Sequence, residues 1–162
     1  MQSAQNTFYI TLRDRLAALN PERTIYLRGV TRPGILVESN ELVTSQPPSN
    51  IFVLRWKGLH NDPYLSEVLL QMQCEIEYMT EGTTTNLGMD RGAMLTQMDA
   101  ELMSLLQPNT AQKMNYEQAT VVPMETQIFW TEATFQPVKI ERDRLLRTAT
   151  VSVFSYEEPG EQ

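Results

Sequence analysis

The sequence predicts an α+β fold, a mainly antiparallel sheet with two helices packed on one face, in the order α-β-β-β-β-α-β-β. Three observations predict it. Residues 70–78 alternate without a break: Leu70, Met72, Cys74, Ile76 and Tyr78 fall on one side, and Gln71, Gln73, Glu75 and Glu77 on the other. That is the period of a half-buried strand. Two other segments, near the start and after residue 90, carry helical spacing instead. The strand-like runs cluster before and after the second helix, which argues against a regular parallel βαβ alternation.

Phe8, Leu12, Leu16 and Leu19 recur at helical spacing, and Asn20 with Pro21 stops the pattern, so a first helix is expected over residues 5–19. Residues 24–28 (TIYLR) read as a short strand, Pro33 and Gly34 as a turn, and residues 35–38 as a second strand. Pro47 and Pro48 stiffen residues 45–50 as an extended connector. Residues 51–56 (IFVLRW) follow as a third strand, then a polar loop over 57–63, then the alternating run, the last two strands pairing as a long antiparallel hairpin. Met94, Leu95, Met98, Leu102, Leu105 and Leu106 form the stripe of a second helix over residues 90–106, with Asp90 as N-cap and Pro108 closing it. Residues 108–123 read as an irregular polar loop of the kind used for docking or assembly. Two β-rich runs, 126–135 and 145–154, close the chain, joined by the charged stretch 136–144. Residues 1–156 are expected to form a single domain, with 157–162 a disordered acidic tail.

A chain of 162 residues, 41% hydrophobic and 20% charged, can bury one core. No apolar run nears the length of about 20 residues that spans a bilayer, and the polar start MQSAQNT lacks the regions of a signal peptide, so no membrane role and a cytoplasmic site of synthesis are expected. The net charge of −7 opposes attraction to a phosphate backbone, so no direct nucleic-acid binding is expected. Cys74 is the only cysteine and lies on the apolar side of its strand, where it packs as a small hydrophobe; a reactive thiol would need an exposed electropositive setting.

No residue pattern specifies a catalytic device, a metal or a cofactor. His60, the only histidine, has Asp62 two residues on, but no G-x-S-x-G elbow supplies a nucleophile. Glu75 and Glu77 occupy the outward side that the alternation requires to be polar; carboxylates so spaced can also hold a metal, do acid/base work or meet a neighbouring subunit. Gly82, Gly88 and Gly92 surround a Thr-rich segment before a helix, yet the spacing fits no phosphate-binding motif and no lysine accompanies it. Met94 and Met98 share the leucine stripe, which leaves Met89 and Met103 as interface candidates. Lys139, Glu141, Arg142, Asp143 and Arg144 form the densest charge cluster, of mixed sign, suited to a solvated turn or to complementary self-association.

The initial helix (residues 7–19), the strands over 24–28 and 51–56, the alternating strand 70–78, the helix 90–106 and the closing strand 149–156 with its VSVFSYEE run together give a layout. In that layout the chain resembles phage tail terminators, also called tail completion or minor tail proteins of the U type, or a closely related neck protein. The resemblance implies a small virion structural protein, not an enzyme and without a cofactor. Made in the host bacterial cytoplasm, it would form a ring, usually a hexamer, at the head-proximal end of the tail tube. Its partners would be copies of itself, the tail tube protein and a head-completion or neck protein. A tail-tube or head-tail connector subunit is the neighbouring alternative, and a small α+β hydrolase or ligand-binding domain the more distant one.

Overall fold

The computed structural model describes residues 1–41, 48–62, 68–159 and 161, with the backbone alone at residue 62. The expected connector at Pro47, the end of the expected loop at Pro63, the Asp62 side chain, and Gly160 and Gln162 of the expected tail lie outside the described residues.

The fold is α+β and its sheet mainly antiparallel, as the alternation requires. Helix α1 spans Gln2–Leu19, three residues longer at its start than its apolar stripe indicated. Ala4, Phe8, Leu12 and Leu16 are fully buried at four-residue spacing, whereas Leu19 is exposed and outside the stripe. The helix ends where Pro21 forces the preceding residue out of the helical region: Asn20 sits at φ −140°, ψ 84°. Strands β1 (Thr24–Leu27) and β2 (Val30–Pro33) then form a separate antiparallel hairpin. Its two-residue turn, Arg28 and Gly29, has φ of 50° and 82°, the left-handed pair that matches strand twist. This corrects the expected turn at Pro33 and Gly34, because β2 was hidden in a run ending in proline.

Strand β3 (Ile35–Val37) leads into the one-turn helix α2 (Glu38–Glu41), and β3 pairs parallel with β4 (Phe52–Asp62). Strand β4 runs antiparallel to β5 (Leu69–Thr80), which confirms the long hairpin. The expected loop over 57–63 is instead the second half of β4 as far as Asp62. A bulge between Trp56 and Gly58 shifts the register there and breaks the period that would have revealed the strand. Helix α3 (Arg91–Leu105) buries Leu95, Met98, Leu102 and Leu105 as expected.

Half of the expected loop over 108–123 is sheet. Strand β6 (Thr110–Asn115) pairs antiparallel with β7 (Val122–Trp130). After β7 come the short strands β8 (Thr134–Phe135) and β9 (Lys139–Glu141), then the long β10 (Arg144–Tyr156). The main sheet runs β3-β4-β5-β10-β7-β6, and β7, β8 and β9 lie in succession along the side of β10 away from β5. Strand β5 pairs with β10 along its full length, from Leu145 opposite Thr80 to Tyr156 opposite Leu69.

Both long helices join the core on one face of this sheet. Met72, Cys74, Ile76 and Tyr78 of β5 and Ala149, Val151 and Val153 of β10 meet Phe8, Leu12, Met98 and Leu102 from the helices. Phe8 packs edge-on against Trp56 and Trp130, with ring centroids 5.8 and 5.2 Å away. Trp130 Nε1 donates to the Leu106 carbonyl at 2.9 Å, and Arg15 donates to the carbonyls of Leu105 and Pro108, so α1 holds the carboxyl end of α3. The opposite face is half open. Near β3 it is covered, where Leu36, Ile51 and Val53 pack with Ile25 and Leu27 of the β1–β2 hairpin.

Candidate interaction surface

The open face of the sheet carries the polar half of the alternation. Glu75 lies 3.4 Å from Lys57, and Glu77 lies 3.8 Å from Arg55. Arg55 also grips Glu38 of α2 through two hydrogen bonds, Nε to Oε2 at 2.5 Å and Nη2 to Oε1 at 2.7 Å, which holds the Glu38 carboxyl below its ordinary range. These outward carboxylates are therefore matched by cations of the same chain. His60 also lies on β4, exposed and opposite Gln71.

At one end of this face the β9–β10 turn brings most of the charged candidates together. Glu75, Glu77, Lys139 and Glu141 line one open groove of about 530 Å³. Glu141, Arg142, Asp143 and Arg144 line an adjoining one of about 650 Å³ with Glu81. Arg142 is left-handed at φ 54°, which makes the tight reversal possible. Arg144 Nε donates to Glu81 Oε1 at 2.6 Å, and the fully exposed Asp143 carboxylate is 3.9 Å from Arg91. Ile140, between Lys139 and Glu141, is 76% exposed, so the charged turn displays an apolar side chain as well.

Arg91 Nη1 donates to the Asp143 carbonyl at 2.7 Å and links the turn to the loop between β5 and α3. That loop is wound around the Asp90 carboxylate. Oδ1 accepts from the Thr83 backbone N–H at 2.8 Å, and Oδ2 accepts from Thr83 Oγ1 at 2.7 Å and Asn86 Nδ2 at 3.1 Å. These bonds, the Thr83 N–H first, pull the Asp90 carboxyl down to about 2. Asp90 does occupy the N-cap position, but its side chain closes the preceding loop and makes no cap bond to the helix. The Thr- and Gly-rich loop thus cradles an anion that belongs to its own chain. Gly82 is obligatory there: a Cβ would stand 2.6 Å from Asp90 Oδ1 and 2.9 Å from the Gly88 Cα.

The same loop projects Leu87 and Met89 almost entirely into solvent, at 88% and 86% exposure. Met103 is half exposed on α3. Tyr26 and Val30 of the β1–β2 hairpin are 71% and 60% exposed. Sequence reasoning missed Leu87, Tyr26 and Val30 because single apolar residues in short turns carry no period; the signal available was Asn86 and Gly88 flanking Leu87, which marks a turn tip.

Two further polar centres are structural. Tyr78 Oη donates to Asp99 Oδ1 at 2.5 Å, and Arg147 Nε lies 3.2 Å from the same oxygen, so α3 is tied to the β5–β10 pair; burial raises the Tyr78 phenol. Lys113, fully buried on β6, donates to the Tyr156 carbonyl at 2.6 Å and to Glu161 Oε2 at 2.8 Å, with Glu158 at 3.4 Å. Cys74 is fully buried with its thiol pushed up by desolvation, the opposite of an activated cysteine. Among the described residues no group of three or more His, Cys, Asp and Glu is placed to hold a metal ion.

No family model and no curated protein matches the chain. Among solved structures, a chain of "Virion of native gene transfer agent (GTA) particle" is similar over 95% of this chain and 94% of its own, at 12% identity and a TM-score of 0.48. A likeness of that size says nothing of this chain's role.

Proposed function

We propose that this protein is a virion structural protein that forms a ring at the head-proximal end of a phage tail tube, ends tube polymerisation and offers the head or neck its attachment surface. The observation that carries the assembly reading is that the most exposed large apolar side chains among the described residues, Leu87, Met89, Ile140, Tyr26 and Val30, sit at three projecting tips. Large apolar side chains on tight, hydrogen-bonded turns have no packing role in their own chain and suit contacts with neighbours. The resemblance of the element layout to tail terminators supplies the kind of assembly.

Native mass spectrometry and electron microscopy of the purified chain test this. A closed ring that caps purified tail tubes is the expected result. A monomer at all concentrations that also leaves tubes growing would overturn it, and filaments or stacked rings would favour a tube or connector subunit instead.

A further inference from the structure

The loop that bears Leu87 and Met89 is rigid by construction. Besides the Asp90 carboxylate, it is closed by backbone bonds from Gly88 N to the Thr83 carbonyl at 3.0 Å and from Met89 N to the Asn86 carbonyl at 2.9 Å. Leu87 is held at φ 50°, a left-handed conformation disfavoured for a residue with a side chain. A loop held so firmly, with an unfavourable backbone angle at its most exposed apolar residue, is preorganised to bind.

A matching hollow lies elsewhere on the same chain. Leu27 and Val30 of the β1–β2 hairpin, with Arg28, Arg32, Asn40 and Glu41, line a cleft of about 330 Å³. Its apolar lining is exposed at Val30, and its rim carries Arg28, which is exposed and forms no ion pair among the described residues. Beside the knob, Asp143 is fully exposed, and it lines one hollow together with Leu87. An apolar tip beside a carboxylate that Arg91 approaches only to 3.9 Å is thus complementary to a cleft with Leu27 and Val30 in its lining and the guanidinium of Arg28 at its rim.

We propose that Leu87 and Met89 of one copy seat in the Leu27–Val30 cleft of a second copy, with Asp143 meeting Arg28. Knob and cleft are different surfaces, so the contact is heterologous and repeats head to tail, as ring closure requires. The inference rests on the ring reading and names its contact.

Two experiments test it. Chains carrying either Leu87→Cys or Val30→Cys are mixed under mild oxidation; the buried Cys74 adds no background. A disulfide-linked dimer in the mixture, absent from either chain alone, is expected. Leu87→Gly removes the knob while glycine accepts the left-handed backbone, so the melting temperature should hold or rise while self-association weakens about tenfold or more. A Leu87→Gly ring of normal mass and concentration dependence, with no mixed disulfide, would sink the contact and leave the ring reading standing. A native chain that never leaves the monomer would remove both. Normal rings that no longer cap tubes would assign the knob to another protein and overturn the self-contact.

Discussion

The ammonium of Lys113, with no exposed surface, stands 2.8 Å from Oε2 of Glu161. Glu158 completes the arrangement at 3.4 Å and accepts further bonds from the N–H groups of Glu125 and Thr126 and from the Thr126 hydroxyl. A buried cation paired this closely owes its place to both carboxylates.

Acid should therefore weaken the protein in a defined window. Although burial alone would raise the Glu158 carboxyl, its hydrogen bonds with Thr126 and Glu125 and the Lys113 charge outweigh that and bring it from 4.5 to about 2; Glu161 is lowered too. A depressed carboxyl contributes stability that is present above its unfolded value and is lost as pH falls through the folded one. Denaturant unfolding should show a decline from about pH 5 towards pH 2 that is shallower in Glu158→Gln. Equal slopes in the two proteins would contradict this.

Removing the cation leaves two close carboxylates without their common partner. Lys113→Ala is expected to lose about 3 kcal/mol at neutral pH, measured as a shift in the denaturant midpoint. The exposed ion pair of Lys57 with Glu75 gives a control, since Glu75→Gln should change stability by less than about 1 kcal/mol.

Phe8 is the aromatic that α1 inserts between Trp56 and Trp130. Truncation to alanine should cost about 3–5 kcal/mol, because the sheet and α3 cannot both close the gap. A thermal melt of Phe8→Ala checks this.

The loop around Asp90 yields a contrast between neighbouring substitutions. Gly82→Ala, at φ 77° with Asp90 and Gly88 in the way, should destabilise by more than about 1 kcal/mol. Leu87→Gly, at φ 50°, should not destabilise at all. Calorimetry of the two variants separates strain in the loop from any effect on assembly.

Cys74 should resist a thiol reagent in the native protein and react stoichiometrically once denatured, because it lies under α1 and α3 with its thiol pushed up by burial. Rapid labelling without denaturant would show that the β5 face opens.

What the sequence reveals depends on which residues face the core. The strand β5 and the stripes of α1 and α3 are readable because each buries one face and wets the other, and their apolar spacing records it. Strand β6 is unreadable for the converse reason: its most buried side chain is Lys113, a residue that ordinarily marks solvent. The second half of β4 loses its period at the bulge before Gly58, and β2 ends in Pro33 at a sheet edge. The charged tip near Arg142 announces itself by composition, but the apolar tips at Leu87 and Val30 become visible only when the turns that carry them are seen.

Strand β10 is the seam of the molecule: β5 lies along one side of it and β7, β8 and β9 along the other, so among the described residues it alone joins the β3–β4–β5 half of the sheet to the β6–β7 half. It is also made after both of the halves that it joins. During synthesis the β4–β5 hairpin must wait with the edge of β5 bare, along the stretch from Leu69 to Thr80, until β10 arrives. A nascent subunit is therefore most open to pairing with the wrong strand before β10 is made, and crowding many copies together would make the speed of that closure matter.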